Sequence, residues 1–267
     1  MKNLEKTLVI VAGAAGEIGT AFIKETLKNN GYVIGVIRNT QLDIESDNFE
    51  MIQCSLDKEN DIKQKFNNVD VSQYENIIYL HAIGVDKFNP RNYPNVTKMP
   101  TIDPDVYDTN VNSFKYLLRY LGSKIYHLNE QGKNIKFKTI AIAGTSDKYT
   151  PFVIEDFCEA KFIIRQYIQS YISRFPEWFS GLAINVTSTI TKSALAMRPF
   201  AKTDYWLTPK DVVDESFEEF TDMKKGYIEI DLVKFSPNYV EGYYEDKDML
   251  YTKWSAETGI VSSNIEK

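Results

Sequence analysis

Histidine and cysteine are scarce in this chain: His81, His127, Cys54 and Cys158 are the whole supply among 267 residues. Two histidines leave little material for a histidine-rich metal centre, so no metal site is expected. The cysteines stand far apart, in strand-like and helix-like contexts, which suits reduced thiols better than a disulfide framework. Positive charge is also short. With 31 Lys and Arg against 37 Asp and Glu, the net charge of -6 offers no basic face to nucleic acid. No apolar run approaches the roughly 18 residues of a membrane span, and residues 1–6 lead into the first strand-like run without a signal peptide. A cytoplasmic protein that engages no membrane is expected. A serine hydrolase would need Gly-x-Ser-x-Gly; the nearest run, Gly144-Thr145-Ser146-Asp147-Lys148, lacks the closing glycine.

What the chain does have is alternation. Strand-like runs near 7–12, 32–37, 50–53, 76–81, 136–143, 181–186 and 226–231 alternate with helix-like runs near 17–29, 58–66, 104–129, 155–175 and 209–220. This pattern predicts an α/β Rossmann fold: one domain over 1–233 with a doubly wound, mostly parallel sheet of about seven strands. Residues 234–267 form an extension, expected on or near the substrate side. Two irregular stretches, 86–103 and 187–207, follow strands, where loops of an open α/β sheet line the ligand crevice.

The most informative segment is Leu8-Val9-Ile10-Val11-Ala12-Gly13-Ala14-Ala15-Gly16-Glu17-Ile18-Gly19, an apolar strand joined to a helix through glycines spaced three apart. Glycine lets the turn reverse without a Cβ clash, and the helix then points free N–H groups at a pyrophosphate. A dinucleotide site is therefore placed on Gly13, Ala15, Gly16, Glu17, Ile18 and Gly19. About 20 residues on, an acidic residue would bind the NAD ribose, whereas an arginine accommodates a 2′-phosphate. Arg38 followed by Asn39 occupies that place, so NADP is favoured over NAD, although Glu17 adds no positive charge for a phosphate.

By these features the chain resembles the short-chain dehydrogenase/reductase family over residues 7–231. Ser55-Leu56-Asp57 is similar to the segment flanking the adenine, and His81-Ala82-Ile83-Gly84 sits where the family has Asn-Asn-Ala-Gly under the cofactor. Asn110 matches the helix asparagine that helps hold a proton-relay water. Thr208-Pro209-Lys210-Asp211-Val212-Val213 resembles the late Thr-Pro-Glu-Asp-Val helix start, and Gly226-Tyr227-Ile228-Glu229-Ile230-Asp231 the final strand.

At the chemical centre the chain departs from its relatives. In the resembled family a tyrosine one helical turn before a lysine supplies the proton, and an upstream serine polarises the substrate carbonyl. Here the run is Phe157-Cys158-Glu159-Ala160-Lys161. Phenylalanine has no exchangeable proton. The resemblance implies that Lys161 holds the nicotinamide ribose. The serine position falls on Gly144, which leaves Thr145 or Ser146 as the hydroxyl, unless both only cap the turn. Tyr149 and His81 are candidate proton donors, His81 because an imidazole titrates near neutrality, although a histidine at a strand end more often serves as a satisfied structural residue. Thr189 or Thr191 would contact the carboxamide, and Met197, Phe200, Tyr205 and Trp206 form an aromatic substrate wall or anchor their loop.

The expected function is NADP-linked carbonyl or alcohol oxidoreduction of a small molecule with an atypical proton donor. The alternative is a protein that holds NADP(H) without redox chemistry, as a sensor or partner subunit. The resemblance also implies a homodimer or homotetramer through the helices at 104–129 and 155–175.

Overall fold

The computed structural model describes residues 3–86, 102–145, 154–234 and 246–259. Seven strands, β1 (Thr7–Ala12), β2 (Tyr32–Ile37), β3 (Phe49–Gln53), β4 (Asn76–His81), β5 (Lys136–Gly144), β6 (Phe179–Val186) and β7 (Gly226–Leu232), form one parallel sheet. Their order is β3-β2-β1-β4-β5-β6-β7, so the chain reverses direction across the sheet between β1 and β4. Helices α1 (Glu17–Lys28), α2 (Glu59–Phe66), α3 (Pro104–Tyr107), α4 (Ser113–Glu130), α5 (Glu155–Arg174), α6 (Lys192–Met197), α7 (Pro209–Thr221) and α8 (Lys247–Thr258) complete the described elements.

Side-chain alternation along the strands sorts the core into two layers. Leu8, Ile10, Ile77 and Tyr79 pack against Phe66 of α2, Leu117 and Leu121 of α4, and Ile164 and Ile168 of α5. Val9, Val11, Ile78 and Leu80 face the other way, toward Phe22 and Ile23 of α1 and Val212 and Phe220 of α7. Phe22 and Phe220 stack with centroids 4.7 Å apart. Each fully buried apolar side chain of this size contributes about 1.5–3 kcal/mol, which is why both faces of the sheet must be covered.

Local signals fix the ends of α7. Thr208 and Asp211 form a reciprocal capping box and Pro209 takes the first helical position. At the other end the buried Lys138 of β5 donates to the carbonyls of Glu219 and Asp222, placing an ammonium on the negative end of the helix.

The expected long helix at 104–129 is interrupted: Asp108–Asn112 forms one π turn between α3 and α4. The apolar period continues through this turn, so spacing alone does not reveal it. Strands β3, β5, β6 and β7 also run one or two residues beyond the sequence-based bounds. Helix α6 is too short to show a period, and in α8 the apolar residues do not gather on one face. Among the described residues no helix is long and apolar enough to cross a membrane.

Candidate active site

The turn between β1 and α1 is built by its glycines. Gly13 sits at φ +84°, and a Cβ there would lie 3.0 Å from the Ala82 backbone. A Cβ on Gly19 would run into the Gly13 carbonyl oxygen, so this glycine lets helix and strand meet. Gly16 is exposed, lines the cavity, and begins α1 with no side-chain cap. Backbone N–H groups and the positive end of the helix dipole thus face open space without a side chain in the way, which fits a pyrophosphate.

Opposite the turn, the loop after β4 is held by hydrogen bonds from three directions. Ala82 donates to the Ala12 carbonyl at 2.9 Å. Asn110, buried in the π turn, donates to the Val85 carbonyl at 2.8 Å and accepts from the Val85 N–H at 3.3 Å. Its amide also donates to the Val106 carbonyl at 2.9 Å. Single π turns recur at functional sites because they re-aim a side chain without ending the helix. Lys161 of α5 is 1% exposed, donates to the Ile83 carbonyl at 2.9 Å, and places its ammonium 5.0 Å from the centre of the Phe157 ring. Gly84 lies against both: a Cβ there would be 3.4 Å from the Phe157 ring and 3.9 Å from Lys161 Nζ.

A third side comes from the loop after β6. Thr189 donates to the Thr187 carbonyl at 3.0 Å, and Thr191 caps α6 by accepting from Ala194 N–H at 3.1 Å. The Glu17 carboxylate accepts from the Lys192 N–H at 2.8 Å, tying α6 to the glycine turn. Beyond α6, the Arg198 guanidinium is layered between the Trp206 and Trp254 rings at 4.2 and 4.5 Å and pairs with Glu257 of α8 at 3.3 Å. Helix α8 therefore closes this side.

These walls enclose a cavity of about 910 Å³, which runs from Gly16, Glu17 and Ile18 past Ala82, Gly84 and Thr145 to Phe157, Lys161, Trp206 and Trp254. That is room for a dinucleotide head and a small substrate. Among the described residues no group of His, Cys, Asp or Glu could hold a metal ion.

The structure thus brings Gly16, Glu17, Ile18, Ala82, Thr145, Phe157, Lys161, Thr189 and Thr191 to one cavity, with Asn110 behind the loop after β4. Ala15 is exposed on the turn. Ser146 and Tyr149 lie outside the described residues. His81 is placed elsewhere: its ring is fully buried on the α4 side, 2.9 Å from Ser113, and it does not line the cavity. Burial first, and then the charge of Lys161, holds its pKa well below the usual imidazole value. Arg38 and Asn39 are exposed at the end of β2, where Gln53 donates to the Arg38 carbonyl at 3.0 Å. Ser55 N–H donates to Asp61 at 2.6 Å and Leu56 is buried. Burial, with the Asp61 carboxylate behind it, pushes the neighbouring Cys54 thiol up to about 12, so it stays protonated.

Asp86, Arg198 and Glu257 are among the cavity residues that escape sequence reading. The first two fall in irregular stretches after strands, which was the available signal. Glu257 gives none, because its role depends on where α8 docks.

No family model and no curated protein matches the chain by sequence. Solved structures do match in shape. A short chain dehydrogenase from Burkholderia cenocepacia in complex with NADP superimposes with TM-score 0.67 at 10% identity, over 95% of this chain and 98% of that one. The chain has the short-chain dehydrogenase/reductase fold. A 4-hydroxyisoleucine dehydrogenase complexed with NADH shares it at TM-score 0.60 and 20% identity, over 85% of this chain and 96% of that one. So does a tyrosine-to-phenylalanine variant of ElxO with NADPH bound, at TM-score 0.63 and 15% identity, over 85% of this chain and 97% of that one. In a short-chain dehydrogenase/reductase fold ligands bind beyond the strand carboxyl ends where the strand order reverses. The cavity lies there, between the ends of β1, β4, β5 and β6.

Proposed function

We propose that the chain is a nicotinamide-dinucleotide-dependent oxidoreductase that interconverts a carbonyl and an alcohol on a small molecule. The observation that carries this reading is the buried Lys161 ammonium, held by the Ile83 carbonyl in the cavity that the glycine turn also lines. The dinucleotide, when bound, supplies the electron pair that carbon gains or loses. Gly13, Gly16, Gly19 and the first N–H groups of α1, at Glu17 and Ile18, would hold its pyrophosphate. Ser55 and Leu56 would border the adenine, Ala82 and Lys161 the nicotinamide ribose, and Thr189 and Thr191 the carboxamide. Exposed Arg38 and Asn39 suit a 2′-phosphate, which favours NADP(H). Thr145, or Ser146 beside it, would polarise the substrate carbonyl.

Phe157 takes the place where the resembled family has tyrosine, so no proton comes from that position. Cofactor binding does not require that phenol in one neighbour, since a tyrosine-to-phenylalanine ElxO variant holds NADPH. The resemblance favours a homodimer or homotetramer, with Phe162 of α5, 57% exposed, on one of the helices that would pair. The test of the function is NADPH and NADH consumption across a panel of ketones and aldehydes. Turnover supports it. Dinucleotide binding without turnover of any carbonyl or alcohol would leave the chain a redox-inactive nucleotide binder.

A further inference from the structure

A carbonyl reductase without the tyrosine needs another proton donor at the cavity wall. Among the described residues four carboxylates line the cavity: Glu17, Asp86, Asp204 and Glu257. Glu17 is engaged by Lys192 N–H, and Glu257 by Arg198. Asp204 is exposed. Asp86 is half-buried two residues beyond Gly84, at which a Cβ would lie 3.4 Å from the Phe157 ring and 3.9 Å from Lys161 Nζ. The residue between them, Val85, is fixed through both its backbone polar groups by Asn110. Asp86 thus follows a backbone pinned at Val85 and lines the same cavity as Phe157 and Lys161, where a substrate oxygen would sit.

We propose that Asp86 is the proton donor and acceptor of the reaction, in the role left open by Phe157. The proposal rests on the oxidoreductase reading above. In reduction, the carbonyl carbon takes a hydrogen with its electron pair from the reduced nicotinamide dinucleotide, and the carbonyl oxygen takes the Asp86 proton. The products are the alcohol, the oxidised dinucleotide and the Asp86 carboxylate, which water reprotonates. In oxidation the carboxylate accepts the alcohol proton.

The surroundings support both states. Burial raises the carboxyl above the usual aspartate range, opposed by its own backbone N–H and by the charges of Arg198, from the loop after α6, and Lys161, from α5. Raising the pKa keeps a carboxyl protonated closer to neutrality, and the two cations stabilise the carboxylate it leaves behind. As pH rises through that pKa, reduction slows and oxidation gains.

The test combines two readouts on the full chain. First, carboxyl carbon NMR of the dinucleotide-free protein, compared with Asp86→Asn, assigns one aspartate that titrates above the others. An Asp86 signal in the ordinary range overturns the proposal whether or not the chain is an enzyme. Second, single-turnover reduction should fall about 10²–10⁴-fold in Asp86→Asn, the range for a lost general acid, while NADPH affinity stays unchanged and Asp86→Glu recovers part of the rate. Wild-type turnover that Asp86→Asn matches overturns the donor role alone, and so does turnover abolished by Tyr149→Phe but kept by Asp86→Asn. A wild-type chain that binds no dinucleotide overturns the oxidoreductase reading, and the donor role falls with it.

Discussion

Glu17 and Lys192 stand 175 positions apart and meet at 2.8 Å, the carboxylate of the glycine turn accepting the first N–H of α6. One side chain thus joins the glycine-turn side of the cavity to its α6 side. Glu17→Ala removes the acceptor, at a cost of about 1 kcal/mol. Hydrogen exchange at Lys192–Met197 should then quicken about fivefold, while the amides of β1 stay unchanged.

Gly19→Ala drives a methyl group into the Gly13 carbonyl, so α1 has to move away from β1. A shift of that kind costs about 1–3 kcal/mol. The expected outcome is a lower urea midpoint with unchanged slope, together with weaker NADPH binding. Gly132→Ala serves as a control for strain without crowding, since Gly132 has φ +89° and nothing within 4 Å.

Phe157→Tyr places a phenol beside Lys161, whose ammonium lies 5.0 Å from the ring centre. The cation favours the phenolate and suits the new group to proton transfer. Combined with Asp86→Asn, the substitution should restore at least tenfold of the lost single-turnover rate, read by NADPH absorbance.

The Arg198–Glu257 pair joins the end of α6 to α8, and both partners are almost fully buried, at 4% and 9% side-chain exposure. Removing one partner of a buried pair costs about 3–5 kcal/mol, because the other charge stays behind. Glu257→Ala should therefore release α8. The readouts are a red-shifted Trp254 emission and lost exchange protection over Lys247–Thr258.

His81 gives the pH dependence a definite sign. Its folded pKa is held well below the ordinary value of 6.5, so below that pH the unfolded chain takes up a proton that the native chain refuses. Stability is full above pH 6.5 and falls as pH drops, by about 1.4 kcal/mol per unit from this group until its native pKa is reached. His81→Gln should remove that slope in urea denaturation between pH 6.5 and 5.

The sheet was legible because its central strands are apolar runs buried on both faces and most of its long helices carry a clear apolar period. The glycine turn was legible for a different reason. At Gly13 and Gly19 backbone geometry excludes any side chain, and that demand is written in residue identity. Lys161 could be placed from its spacing to Phe157. The π turn at Asn110 was hidden, because a single wider turn leaves the apolar pattern intact. His81 takes the structural one of its two readings: alternation along β4 sends its side chain, like that of Tyr79, into the α4 layer rather than the crevice. Arg198, Glu257 and Asp86 gain their meaning from contacts across the cavity, which no local pattern encodes.

Dinucleotide binding is the claim on which the rest depends, and calorimetric titration of the wild-type chain with NADPH and with NADH measures it directly. The expected result is one site per chain, tighter for NADPH, with the preference reversed by Arg38→Asp. Absence of binding heat with either dinucleotide, in a chain shown to be folded, would contradict it.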